Sequence, residues 1–69
     1  MAQNFGFAAG KAVGRGVKAE AEESLPDDYQ GQREYILSYI AEMLEENKNP
    51  YGKPWSASFW RGLGTELGR

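Results

Sequence analysis

Glycine recurs every four residues near the start of this 69-residue chain, at Gly6, Gly10 and Gly14. The surrounding segment, MAQNFGFAAGKAVGRGVKAEAEE, is rich in alanine and free of proline. That predicts a helix over about residues 4–23 with Asn4 as its N-cap. Each glycine inside it, Gly16 included, costs roughly 1 kcal/mol relative to alanine. Positions four apart lie above one another on a helix, so the three glycines form one strip without side chains. Phe5, Ala9, Val13 and Val17 form the adjacent row. Such a strip admits a close neighbour, either a bulky aromatic or another backbone, as small-xxx-small faces do between membrane helices. It is not a phosphate loop, because the Walker spacing, the GxGxxG order and a preceding strand are all missing.

The densest apolar stretch is Ser24–Asn47, SLPDDYQGQREYILSYIAEMLEEN. Ser24 is a good N-cap, Pro26 suits a first turn, and Asp27 and Asp28 set negative charge at the positive end of the helix dipole. A helix over 25–47 follows. Tyr29, Ile36, Ile40, Met43 and Leu44 mark its core-facing stripe. Tyr35, Leu37 and Tyr39 lie off that stripe, so the apolar cover is wider than one face. Gly31 is a weak point in this helix, and Asn47 with Pro50 ends it.

Asn49–Ser56 is a turn-rich linker with two prolines, and Tyr51 between them is expected to be pinned in a groove. A last helix follows over 56–67, capped by Ser56. Phe59, Leu63 and Leu67 recur every four residues, with Trp60 beside them. Trp55 precedes the cap and is placed to staple against Phe59 or Trp60. Gly62 and Gly64 weaken this helix and Gly68 marks its end. The expected fold is all-α: one small helical domain of three helices, with a long central helix and two glycine-containing flanking helices. Phe59 and Trp60 are expected to fill the gaps at Gly6, Gly10 and Gly14.

A chain this short buries only ~60% of its unfolded surface. It has no cysteine and no histidine, so neither a disulfide nor a zinc site can staple it. Helix packing, oligomerisation or a partner must supply the stability. Nine aromatic residues are enough for a compact core and suggest that some belong to an interface. No run approaches the ~20 apolar residues of a membrane span, and the start lacks a signal peptide. A soluble, cytoplasmic protein without membrane partners is expected.

The net charge of −2 conceals a strong segregation. Residues 1–18 carry Lys11, Arg15 and Lys18 and no acid, whereas residues 19–47 carry nine acids against Arg33 alone. Residues 48–69 are basic again, with Lys48, Lys53, Arg61 and Arg69 against Glu66. The simplest explanation is internal neutralisation, although each exposed pair contributes only ~0–1 kcal/mol. The alternative is that the two ends form a basic patch for nucleic acid.

Catalytic chemistry has little to work with. Without His or Cys, the usual general base, nucleophile pair and most transition-metal ligand sets are gone. The carboxylates run along a helix face rather than facing each other in a cleft, and no EF-hand pattern is present. No catalytic residue, cofactor or metal site is expected.

Three short motifs, GFAAGKAVGR (Gly6–Arg15), NPY (Asn49–Tyr51) and FWRG (Phe59–Gly62), resemble those of ribosome modulation factor-like proteins. Members of that family join a glycine-rich first helix, a Pro-Tyr turn and a Trp-Gly helix, bind the small ribosomal subunit and favour inactive ribosome dimers. The resemblance implies Lys11, Arg15, Tyr51, Trp60 and Arg61 as RNA-facing residues. This chain departs from the pattern by an additional acidic helix and an acidic overall balance.

The leading expectation from sequence is a small non-enzymatic protein-interaction module, an inhibitor or modulator of a larger complex. Phages and other mobile elements encode many small acidic proteins of that kind. Tyr35, Tyr39, Glu42, Glu45 and Glu46 would form the contact face, the acids imitating nucleic-acid charge against a basic groove. The alternatives are ribosome or RNA binding through the basic ends, and a homo-oligomer, such as a homodimer, built on the surplus apolar face.

Overall fold

Backbone geometry follows the alanine-rich and apolar-periodic segments closely. The computed structural model describes residues 2–48 and 55–68, with side chains from Gly6 onward. Three helices result: α1 (Ala2–Ser24), α2 (Tyr29–Lys48) and α3 (Ala57–Leu67). The all-α architecture and the glycine-containing flanking helices match the expectation. The longest helix is α1, with 23 residues against 20 in α2, so the central helix is not the longest. Asn4 lies inside α1 rather than at its cap. The linker through Pro54, with Tyr51, lies outside the described residues. The helices belong to two compact units. One combines α1 up to Gly16 with Trp55 and α3. The other combines the remainder of α1, the turn after it and α2.

In the first unit α1 and α3 meet backbone to backbone. A Cβ built on Gly10 would overlap the Phe59 carbonyl oxygen and lie 2.8 Å from the Leu63 nitrogen. The relation is mutual, because a Cβ on Gly62 would overlap the Phe7 carbonyl oxygen. At Gly14 a Cβ would lie 2.8 Å from Glu66 Cβ, and at Gly6 it would lie 3.0 Å from the Ser58 hydroxyl. The strip is therefore filled by α3's main chain and by Ser58 and Glu66, not by the rings of Phe59 and Trp60. Glycine on both helices draws the two backbones together and leaves no depth for a ring. Phe59 instead stacks on Trp55, centroids 4.4 Å apart, while Trp60 meets Phe59 edge-on at 5.8 Å. Ser56 caps α3, its Oγ accepting the Phe59 N–H at 3.2 Å, and Trp55 staples just outside the cap as expected. Phe59 and Leu63 are the buried apolar residues of this unit.

The second unit departs from the sequence reading at its turn. Ser24 ends α1 instead of capping α2, and the Leu25 N–H still donates to the Ala21 carbonyl at 2.9 Å. Pro26 disfavours the α region for Leu25, so the chain turns before a new helix starts. The Asp28 N–H donates to the Leu25 carbonyl at 3.2 Å, with Pro26 second and Asp27 third at φ 64°. That is the pattern of a type II turn, which favours glycine at its third position. Asp28 then caps α2, its Oδ1 accepting the Gly31 N–H at 2.9 Å. A Cβ on Gly31 would overlap the Asp28 carboxylate, so this glycine is where the cap sits. Gln32 Nε2 donates to the Leu25 carbonyl at 2.7 Å and ties the turn to the first turn of α2.

Val17, Ala21 and Met43 are the buried apolar residues of the second unit, with Ile36 and Ile40 half-buried. The expected stripe holds only at its middle, because Tyr29 is 79% and Leu44 44% exposed. Tyr29 stands at the first position of α2, beside the turn. Leu44 follows buried Met43 by one residue, a rotation of about 100° on a helix of 3.6 residues per turn.

The glycines of the two flanking helices should respond to alanine in opposite ways. Gly10→Ala and Gly62→Ala each force α1 and α3 apart and are expected to destabilise by about 2–4 kcal/mol, at or above the usual cost of overpacking. A Cβ added at Gly16 or Gly64 would have nothing within 4 Å. Alanine there is expected to stabilise by about 0.5–1 kcal/mol, on the helix-propensity difference. Thermal melts followed by circular dichroism separate the two pairs, and a uniform response would refute the close approach. Asp27→Gly relieves the left-handed position and is expected to raise the melting temperature by a few degrees, net of the added freedom of the unfolded chain.

Candidate functional site

On α2, residues 35, 38, 39 and 42 share one face by the i, i+3, i+4, i+7 rule. Tyr35, Ser38, Tyr39 and Glu42 line an open depression of about 260 Å³ there. Small-molecule pockets run to ≈ 300–1,000 Å³ and enclose most of their ligand. The hollow here is smaller and open, and it runs along a single helix. Three of the five residues expected at the contact face, Tyr35, Tyr39 and Glu42, are thus brought together. Glu46 continues the same face one turn on, and Glu45 lies off it; both are exposed. Ser38 is the lining residue that sequence reasoning missed, although its spacing from Tyr35 and Glu42 was available.

Tyr35 and Tyr39 are half-buried. The large apolar residues left exposed on α2 are Tyr29, Leu37 (56%) and Leu44. The surplus apolar surface therefore lies elsewhere on α2 than the Tyr35–Tyr39 face. The Tyr35 hydroxyl donates to the Glu20 carboxylate of α1. That bond, partial burial, and the negative charge of Glu20 and nearby Tyr39 and Glu42 push its ionisation above the usual phenol value.

Of the cations implied as RNA-facing, Lys11, Arg15 and Arg61 all lie in the first unit. Lys11 Nζ stands 5.9 Å from the centre of the Phe7 ring, one turn before it, a cation–π contact. Arg15 Nη1 lies 3.9 Å from Glu66 Oε1; the arginine side chain is 63% exposed and the glutamate 8%. The burial of Glu66 was not foreseen, because it depends on α3 lying against Gly14. Trp60 is half-buried, Arg61 is exposed, and Tyr51 lies outside the described residues. Thr65 Oγ1 donates back to the Arg61 carbonyl at 2.8 Å.

Among the described residues, no helix is long and apolar enough to cross a membrane, and no three Asp or Glu side chains gather to hold a metal ion. No protein-family model, curated protein or solved structure matches the chain.

The environment of Tyr35 has a measurable sign. Its neutral form is the one the fold favours, so its contribution to stability is intact below about pH 10, the unfolded tyrosine value. That contribution is lost as pH rises through the raised native value. In an absorbance titration of tyrosinate, Tyr35 is expected to ionise above the usual phenol value. Glu20→Gln is expected to move it back toward about pH 10; no change on substitution would remove Glu20 as the cause.

Proposed function

We infer that this protein is a non-enzymatic interaction module that occupies a surface on a larger protein through α2. The observation that carries this is the convergence of Tyr35, Ser38, Tyr39 and Glu42 on one open hollow, with Glu46 extending its face. Tyrosines anchor interfaces well, because they offer large, stiff contact area with a polar tip. The glutamates supply a field that attracts a basic groove and steers its approach. Such a module acts by occupation: it blocks or modulates what the groove would otherwise bind, as a charge mimic of nucleic acid does.

A second reading rests on the charge of the first unit, where Lys11, Arg15 and Arg61 outnumber Glu66. The motifs that resemble ribosome modulation factor-like proteins fall largely there. In that case the unit binds ribosomal RNA, with phosphate contacts from its cations and stacking from Trp60.

One experiment separates the two. The protein is immobilised and used to capture partners from its native host lysate, alongside two charge-reversed variants. The expected result is a protein retained by the wild type and by Lys11→Glu/Arg15→Glu, but lost by Glu42→Lys/Glu45→Lys/Glu46→Lys. Recovery of ribosomal subunits, lost instead with Lys11→Glu/Arg15→Glu and weakened by added salt, would replace the first reading with the second.

A further inference from the structure

Glu34, Leu37, Ala41, Leu44 and Lys48 are all exposed on α2. Their spacings alternate three and four, the a/d pattern of a helix seam that packs against a second helix. At 100° per residue, this seam lies roughly opposite the Tyr35–Tyr39 face. Leu37 is 56% and Leu44 44% exposed, so the seam carries much of the apolar surface that α2 leaves uncovered.

The order of residues along the seam decides its occupant. It reads Glu, Leu, Ala, Leu, Lys. Turned end to end, it presents the same apolar residues with the terminal charges exchanged. The geometry points to a second copy of this chain, seated antiparallel on α2 with Ala41 at the two-fold axis. Each Glu34 then lies beside Lys48 of the other copy, and each Leu37 beside Leu44. Ala41 is small enough to let the helices approach at the crossing. A parallel copy would set Glu34 against Glu34 and bring together the two copies of Glu45, which flanks the seam beside Leu44. The antiparallel pair separates those glutamates and opposes the two helix dipoles favourably. A closed two-fold pair uses the same patch on both copies, which a self-complementary seam satisfies.

Two leucines and an alanine per copy fall short of the ~1,200 Å² of a stable complex. The association is therefore reversible and depends on concentration. Because the seam and the Tyr35–Tyr39 face point in roughly opposite directions, the pair presents two copies of that face. This inference does not rest on what that face binds.

Sedimentation equilibrium of the intact chain, from about 10 µM to about 1 mM, the range where small interfaces associate, tests it. The mean mass is expected to rise from 7.7 kDa toward twice that value. Ala41→Glu is expected to hold the chain monomeric with unchanged helicity. Glu34→Lys is expected to weaken association by about fivefold, on the scale of a lost ion pair, and Glu34→Lys/Lys48→Glu to restore it. Should Ala41→Glu disturb the fold, the charge series at the exposed positions still decides. A mass of 7.7 kDa throughout would overturn the proposal and leave the seam to a different partner. Association that ignores Ala41→Glu in a folded chain, or a double exchange that fails to restore, would also overturn it.

Discussion

The first unit depends on one contact, the reciprocal approach of Gly10 to Phe59 and of Gly62 to Phe7. A chain with this many glycines in its helices forfeits helix propensity at each of them. The loss is offset where the missing side chain lets two backbones touch, because dispersion falls away within an ångström of lost contact. Gly10 and Gly62 are offset in this way, and Gly6 and Gly14 to a lesser degree. Gly16 and Gly64 face open space and are not. The aromatic residues of α3 are then free for another task. Trp55, Phe59 and Trp60 build a stacked and edge-on cluster around the Ser56 cap, which fixes where α3 begins.

Much of this was legible in the residues. Alanine content, period and breakers located three helices, and the Ser56 cap with its Trp55 staple was readable because both are local. The glycine strip announced a close neighbour. It did not say which kind, since that depends on Gly62, whose partner lies far away in sequence. The start of α2 was misplaced because Ser24 and Asp28 both have the chemistry of a cap. Pro26 and the left-handed Asp27 settle the choice by closing a turn between them.

The candidate site divides in the same way. Tyr35, Tyr39 and Glu42 share a face by spacing alone, so their convergence follows once a helix is granted. Glu20 beside Tyr35 and Glu66 within the α1–α3 contact could not be read, because each pairing joins different helices. The width of the apolar surface on α2 was legible, but not which part of it is covered. Periodicity gives a helix its faces, and only packing says which of them meets another element. Leu37 and Leu44 stand outside for that reason.

Topology gives the two units different folding histories. The second is made of contiguous sequence, α1's end, a tight turn and α2, so its contacts need only short loops to close. The first joins α1's beginning to α3 and must wait until everything between Gly16 and Trp55 has been made. The entropy of closing a loop grows only slowly with its length, yet contacts between distant residues slow folding markedly. During synthesis the glycine strip of α1 therefore emerges well before the backbone that covers it. Until α3 arrives, that half of α1 lacks the backbone that offsets its glycines.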